Sequence, residues 1–349
     1  MIRNVIFDWS GTLVDDLPAV WLASNHVFQK AGLQPMTLDR FRAEFRLPFS
    51  GFYQEYLPHI PLPQLELWFH ECFSTAQSSV VALPYAQDFL HFCRSKNLRT
   101  FLLSAVHPKH FQTQCDALEL GSYFDQTYLG IADKRNQIQT VLDENGLNPE
   151  ETVFIGDMQH DIETAHHGGI QSVAVLTGYN NLTQLQSSKP DLIVEHLGEL
   201  QRHLEHSQLK VRADRPHPRH PIPTVGALIF DNENRMLLVR TSKWSGLWGI
   251  PGGKIEWGED SETALRRELL EETGLEVEGI RFVLFQDTVN PPEFYREAHF
   301  ILLNYVCQCR QGQQVRLNNE AQEFRWVSRE ESFRLALNTP TKVLLKSLT

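Results

Sequence analysis

Long apolar runs are missing from this 349-residue sequence. None approaches the roughly 18 residues that a membrane-spanning helix needs. The opening stretch, MIRNVIFDWSG, is too short in apolar residues and too soon interrupted by Asp8 to read as a secretory signal. Cysteine is scarce, and Cys72, Cys93, Cys115, Cys307 and Cys309 form no Cys-x-x-Cys pair, so they read as buried thiols or strand residues. Positive charge is short as well. The 32 Lys+Arg against 43 Asp+Glu leave a net charge of -11, which gives no general attraction to nucleic acid or to an anionic membrane. These absences predict a cytoplasmic protein with neither nucleic acid nor membrane as a partner.

What is present is an ordinary globular composition, 42% hydrophobic and 21% charged, over a length that suggests two domains at roughly 150 residues each. Residues 206–224 read HSQLKVRADRPHPRHPIPT, and the four prolines mark a linker, placed at 204–221. His217 and His220 within it have Asp214 as the nearest carboxylate and no cysteine beside them, and they read as linker residues rather than metal ligands. Before the linker, short Val/Ile/Leu/Phe runs at 4–7, 100–104, 152–155, 172–176 and 191–194 alternate with amphipathic stretches such as 136–145. That alternation predicts an α/β domain over 1–203, built on a parallel sheet covered on both faces. Residues 16–85 interrupt it with helical patterns at 19–31 and 65–76, an inserted helical subdomain. After the linker, strands are expected at 225–230, 235–240, 281–286 and 299–307, a turn at 232–234, and one strong helix over 261–273. This second domain, 222–349, reads as mixed α/β.

Polar residues follow the apolar runs of the first domain. Asp8 follows the first run directly, and three other strands are expected to end in polar groups: Ser104, then Lys134 downstream, then Asp157 with Asp161 four residues on. Open parallel sheets bind ligands at the carboxyl ends of their strands. Three carboxylates gathered there repel one another unless a hard cation lies among them, which implies Mg²⁺. The order Asp8-Trp-Ser-Gly-Thr12, Ser104, Lys134, Gly156-Asp157-x3-Asp161 resembles the haloacid dehalogenase (HAD) superfamily of phosphatases over about residues 1–200. The resemblance implies a Rossmann-like sheet with a cap, Asp8 as a nucleophile forming an aspartyl-phosphate, Ser104 and Lys134 as phosphate binders, and Asp157 with Asp161 beside Asp8 at the metal. Ser10 departs from the pattern. The family usually has Asp there as general acid and base, while using that residue's backbone carbonyl at the metal, so Ser10 keeps the metal role and loses the proton role. Loss of such proton transfer costs roughly 10²–10⁴-fold, with Asp15, Asp16 and His107 as candidate substitutes. The Asp-Trp-x-Gly-Thr string also resembles the phosphonoacetaldehyde hydrolases, which need a cap lysine. The only lysine between residues 13 and 83 is Lys30, which reads as a surface residue, so that alternative is set aside.

From Gly253 to Leu275 the second domain reads GKIEWGEDSETALRRELLEETGL. Asp260 or Ser261 suits the start of a helix and Gly274 its end. Glu268, Glu271 and Glu272 then fall at i, i+3 and i+4 on one face, a destabilising array that divalent cations would relieve. Leu265 and Leu269 form an apolar stripe beside it, and Arg267, four residues before Glu271, is placed to orient it. The stretch fits Gly-x5-Glu-x7-Arg-Glu-U-x-Glu-Glu-x-Gly-U, with U a bulky aliphatic, at every specified position, and so resembles the Nudix hydrolases. The resemblance implies an α/β/α sandwich and Mg²⁺ or Mn²⁺ on Glu268, Glu271 and Glu272, with Glu259 a further candidate. Its chemistry is attack of activated water on the pyrophosphate of a nucleoside diphosphate linked to another group, X. Glu271 and Glu272 are catalytic candidates, and Glu320 and Glu323, expected in a loop, are alternative bases. Trp248 is expected to pack beneath the sheet. Trp244 and residues 294–296 border the approach.

Together the two halves suggest a bifunctional hydrolase of phosphorylated small molecules such as nucleotide sugars or dinucleotides, with Mg²⁺ or Mn²⁺ in both domains. A homodimer is compatible with this reading. The alternative is a Nudix hydrolase whose impaired HAD domain senses a phosphate ligand.

Overall fold

The computed structural model describes residues 1–212, 220–310, 312–318 and 321–348. The middle of the proline-rich linker, with Asp214 and His217, and the candidate base Glu320 lie outside the described residues. The chain forms two compact units, Met1–His217 and Pro218–Thr349. No helix among the described residues is long and apolar enough to cross a membrane. All five cysteines are free, with Cys93, Cys115 and Cys307 buried.

The first unit is built on a six-stranded sheet of β1 (Asn4–Phe7), β2 (Arg99–Leu103), β3 (Gln126–Tyr128), β4 (Thr152–Gly156), β5 (Gln171–Val175) and β6 (Leu192–Val194). Their order across the sheet is β3-β2-β1-β4-β5-β6, and every pairing is parallel. The near-continuous apolar runs are explained by burial of both faces. Val5, Phe7, Val153 and Ile155 enter one core while Ile6, Phe101, Leu103 and Phe154 enter another on the opposite side. Between Val14–Asp15 and Val81–Ala82, which pair antiparallel, the chain leaves the sheet to form four helices. These are α1 (Leu17–Lys30), α2 (Leu38–Glu44), α3 (Phe49–Tyr56) and α4 (Leu62–Ala76). They enclose a mainly aromatic core of their own, in which Phe28, Phe41, Phe52 and Tyr53 meet largely edge to face. The helical patterns at 19–31 and 65–76 correspond to α1 and α4, whereas the shorter α2 and α3 were not legible from periodicity. Beyond the cap, α5 (Pro108–Leu118) follows β2 and α6 (Gln159–His167) follows β4.

The linker expected from 204 begins later. A helix runs over Leu197–His206, and Leu204 and Val211 are buried in the core of the first unit. The Ile2 amide donates to the Leu209 carbonyl at 2.8 Å. Proline-free residues 204–212 therefore belong to the folded unit, because their apolar side chains find a surface to cover.

The second unit has β7 (Ile222–Phe230), β8 (Met236–Thr241), β9 (Leu247–Gly249), β10 (Gly252–Lys254), β11 (Val277–Val289), β12 (His299–Cys309) and β13 (Ala321–Val327). The order is β9-β8-β7-β12-β11, with β10 also on β7 and β13 also on β8; β7 and β12 run parallel in an otherwise antiparallel sheet. Helix α7 (Ser261–Thr273) packs Ala264, Leu265 and Leu269 on Val225, Ala227 and Ile229, while α8 (Thr339–Ser347) packs Leu344 and Leu345 in a second core with Leu228. This is an α/β/α layering. Strand β11 is longer than the expected 281–286, because as an edge strand it tolerates exposed charges and two register shifts that break the alternation. Residues 321–327 form β13, so Glu323, expected in a loop, lies on a strand. Trp248 is buried in the core shared with α8.

A chain ending at residue 203 should melt below one ending at residue 212. Losing the buried Leu204 and Val211 removes about 3–6 kcal/mol at about 1.5–3 kcal/mol per buried aliphatic side chain, readable by thermal or urea denaturation of the two fragments.

Candidate functional site

Three strand ends of the first unit deliver the expected residues to one place. Asp8 follows β1, Ser104 follows β2 and Asp157 follows β4. Lys134 is not at a strand end; it opens a 3₁₀ turn, Lys134–Asn136, whose preceding Asp133 accepts from the Arg135 amide. Asp161 lies in the first turn of α6, where one carboxylate oxygen takes the Met158 amide at 3.0 Å. The Lys134 Nζ, with no side-chain exposure, donates to Asp161 Oδ1 at 2.7 Å and pairs with Asp8 Oδ1 at 2.8 Å. Asp157 accepts from Thr12 Oγ1 at 3.0 Å and from the Tyr179 amide at 2.7 Å. Gly11, at φ +73°, stands so close that an added Cβ would lie 2.5 Å from the Asp157 carboxylate, and only glycine allows that turn.

Oxygens of Asp8, Asp157 and Asp161 approach within 4.8 Å of one another, the one such group among the described residues. Burial raises the Asp8 carboxyl despite Lys134. Burial raises Asp157 well above the usual carboxylate range, with Asp161 and Asp8 adding to it. Burial opposes the Lys134 ammonium, but Asp161 and Asp8 outweigh it and hold that group above the usual lysine range. With one ammonium among three buried carboxylates, full ionisation would leave two negative charges, which a divalent cation would offset with oxygen donors of the kind it prefers.

Ser10 does not stand alone. Its hydroxyl donates to Asp16 Oδ2 at 2.6 Å, and the Tyr179 hydroxyl donates to Asp16 Oδ1 at 2.9 Å. Burial pushes the Asp16 carboxyl up to about 7, against these two hydrogen bonds. Of the candidate substitutes for residue 10, Asp16 and His107 line the cavity above Asp8 and Asp15 does not. Lys30 is exposed, 3.4 Å from Glu71, and takes no part in the cavity. Thr12 and Tyr179 were not singled out for roles by the sequence. Tyr179 carries no motif, and its place is set by the chain turning back after β5.

In the second unit the Asp260 side chain caps α7, accepting from the Glu262 and Thr263 amides at 3.0 and 2.9 Å. Glu272 is buried and accepts from the Gly252 amide at 2.8 Å. A Cβ on Gly253 would lie 2.3 Å from the Glu268 carboxylate, so the glycine pair lets β10 pass directly over the helix face. Arg267 gathers the rest. It makes a two-pronged contact with Glu259 at 2.7 and 2.8 Å and reaches Glu268 at 2.9 Å and Glu271 at 3.2 Å. Hydrogen bonding to Glu259 raises the guanidinium and lowers Glu259. Orientation of Glu271 by Arg267 was expected; its principal partner Glu259, eight residues upstream, was not. The clustered carboxylates fit a divalent cation in donor type. Glu323 is not in a loop but in β13, paired with Arg240 at 3.2 Å and Arg325 at 2.7 Å. Those cations hold it as an ion-pair member of the sheet. Trp244 packs on Phe294 and Phe300, and Arg296 lies over the Tyr295 ring.

Residues 5–175 match the family model for haloacid dehalogenase-like hydrolases, and residues 220–348 match that for the NUDIX domain. The chain is a fusion of these two domains. A phosphoglycolate phosphatase from Synechococcus elongatus is 28% identical over 202 residues, 56% of this chain and 93% of that protein. The nucleoside triphosphatase NudI from Enterobacter sp. is 31% identical over 130 residues, 34% of this chain and 92% of that protein. A hydrolase from Pseudomonas syringae shares the fold of the HAD-like half, with a TM-score of 0.53 at 18% identity over 58% of this chain and 98% of that one. Both halves of the fusion thus belong to hydrolase families, and the chain is an enzyme of that class.

The Asp16 carboxyl provides a stability test. Its folded value of about 7 lies above the unfolded value, so the unfolded state loses its proton first and the wild type loses stability as pH rises from about 4 to about 7. The loss is up to roughly 4 kcal/mol at about 1.4 kcal/mol per pH unit. With a chelator present, Asp16→Asn should gain in melting temperature over the wild type between pH 5 and pH 8. A constant difference across that range would contradict the assignment.

Proposed function

We propose that this fusion is a bifunctional hydrolase, in which the NUDIX domain cleaves the pyrophosphate of a nucleoside diphosphate linked to X and the HAD-like domain dephosphorylates a phosphomonoester. The observation that carries the reading is the pair of carboxylate clusters on one chain, one gathered by the buried Lys134 and the other by Arg267.

In the HAD-like site, Asp8 attacks phosphorus and the P–O bond to the leaving group breaks, giving an aspartyl-phosphate that water then hydrolyses. Lys134 aims Asp8 and favours its ionised form against burial, and Ser104 hydrogen-bonds beside it. Asp157 and Asp8 would hold a divalent cation that offsets phosphoryl charge, while Asp161 anchors Lys134. Asp16, on the cavity wall with Asp8, gives its proton to the departing oxygen and later takes one from water, work that the Ser10 hydroxyl cannot do. In the NUDIX site Glu268, Glu271 and Glu272 would hold the cations that polarise the pyrophosphate and activate water. Arg267 fixes Glu259, Glu268 and Glu271, and the Gly252 amide fixes Glu272. The link between the two activities is chemical: pyrophosphate cleavage yields phosphomonoesters, which a phosphatase consumes. The Ser10–Asp16 contact favours turnover over the sensor reading, because it keeps a carboxyl in the cavity where residue 10 lacks one.

Phosphorus NMR on the full chain with Mg²⁺ or Mn²⁺ and a panel of nucleotide sugars and dinucleotides tests this. Phosphomonoesters should appear first and free phosphate second. Glu272→Gln should stop the first step, Asp8→Asn only the second, and Asp16→Asn should slow the second by roughly 10²–10⁴-fold. Phosphomonoesters that accumulate in the wild type would contradict the coupled reading.

A further inference from the structure

The cavity above Asp8 has a volume of about 280 Å³, near the lower end for small-molecule sites. Its floor is polar, with Asp8, Ser10, Asp16 and Ser104. Its walls are not. Phe45, Phe49, Phe69, Phe73 and Val106 face it from the cap and the core, and no lysine or arginine is among the described residues lining it. Beneath the floor the Lys134 ammonium is spent on Asp8 and Asp161 and has no exposure. Besides the floor, the charged side chain on the wall is Glu66, which repels anions.

Three histidines complete the wall. His70 on α4 meets His110 on α5, Nδ1 to Nε2, at 2.8 Å, and His110 Nδ1 contacts Gln77 at 3.1 Å. The His107 ring meets His70 edge to face at 5.0 Å and lies tilted against His110 at 5.5 Å between centroids. Two imidazolium ions would not share a 2.8 Å contact, since one nitrogen must accept. In keeping with that, burial pushes His110 down to about 4 and also lowers His70. The His70–His110 pair therefore carries at most one positive charge, which burial disfavours, and it offers mainly ring faces and hydrogen bonds. A carboxylate on the organic half of a substrate would be desolvated here next to Asp16 and Glu66 with no lysine or arginine among the described wall residues to receive it, which is costly. A flat ring would instead meet aromatic edges and faces and bury a large apolar area.

We propose that this site selects phosphomonoesters whose organic half is aromatic and carries no anionic group beyond the phosphate, and that it discriminates against small anionic esters such as phosphoglycolate. The proposal rests on the phosphatase reading of Asp8, and it separates this chain from the Synechococcus elongatus phosphoglycolate phosphatase it resembles. A nucleoside monophosphate, one of the products expected from pyrophosphate cleavage, has such an organic half.

The test is binding, which does not require turnover. Full-length Asp8→Asn protein with Mg²⁺ is titrated by calorimetry with phenyl phosphate and with phosphoglycolate. Phenyl phosphate should bind at least about tenfold more tightly. Phosphoglycolate binding equally or better, or neither ligand binding at millimolar concentration, would overturn the proposal. In the same background Val106→Arg, which places a cation on the wall, should shift the ratio about tenfold toward phosphoglycolate, and an unmoved ratio counts against it. Wild-type hydrolysis of phenyl phosphate is followed in parallel. Preference in binding without any hydrolysis supports the proposed selectivity while removing the phosphatase reading beneath it.

Discussion

The Lys134 ammonium lies 2.8 Å from Asp8 and 2.7 Å from Asp161 with no exposure to solvent, and the placement of the surrounding groups depends on that shared contact. Three carboxylates this close and this buried would not stay ionised together. One internal cation holds two of them in register, while the third, Asp157, is held by a hydroxyl and a backbone amide. Removing a partner from such a cluster leaves an uncompensated buried charge, which is far more damaging than losing a surface ion pair. The site is thus rigid in its ionic frame but short of positive charge.

The NUDIX half solves a similar problem with different geometry. Arg267 presents a planar fork, so it can bind Glu259 with two donors and still reach Glu268 and Glu271, a task for which a lysine has the charge but not the shape. Glu272 is the exception, tied to a backbone amide instead of a side chain. The close passage of β10 over α7 requires the glycines at 252 and 253, so the same residues that allow the sheet to cover the helix also orient one of its carboxylates.

Much of this was legible in the sequence because the chemistry sits in short local patterns. Asp8, Ser104 and Asp157 were visible at strand ends, and α7 could be placed closely because capping residues at 260–261 and Gly274 mark its two ends. What escaped was set by contacts distant in sequence. The Ser10–Asp16 bond needs the turn after β1, and Tyr179 needs the return of the chain after β5. Strand β13 and the ends of β11 were hidden by exposed charges on one face, and the tail of the first unit by its proximity to prolines. The aromatic lining of the cavity was unreadable, since Phe69 and Phe73 on α4 have the spacing of any buried helical face.

Tyr179 lies at a boundary within the first unit. Its ring belongs to the aromatic cluster of the cap, tilted against Phe45 at 5.5 Å, and its carbonyl accepts from Arg42 of the cap at 3.3 Å. Its amide and hydroxyl meanwhile bond Asp157 and Asp16. One residue therefore belongs to both the lid and the charged floor. By thermodynamic reciprocity, whatever alters the charge state of those two carboxylates and is felt at Tyr179 biases the seating of the cap, and cap seating biases their proton affinity by the same free energy.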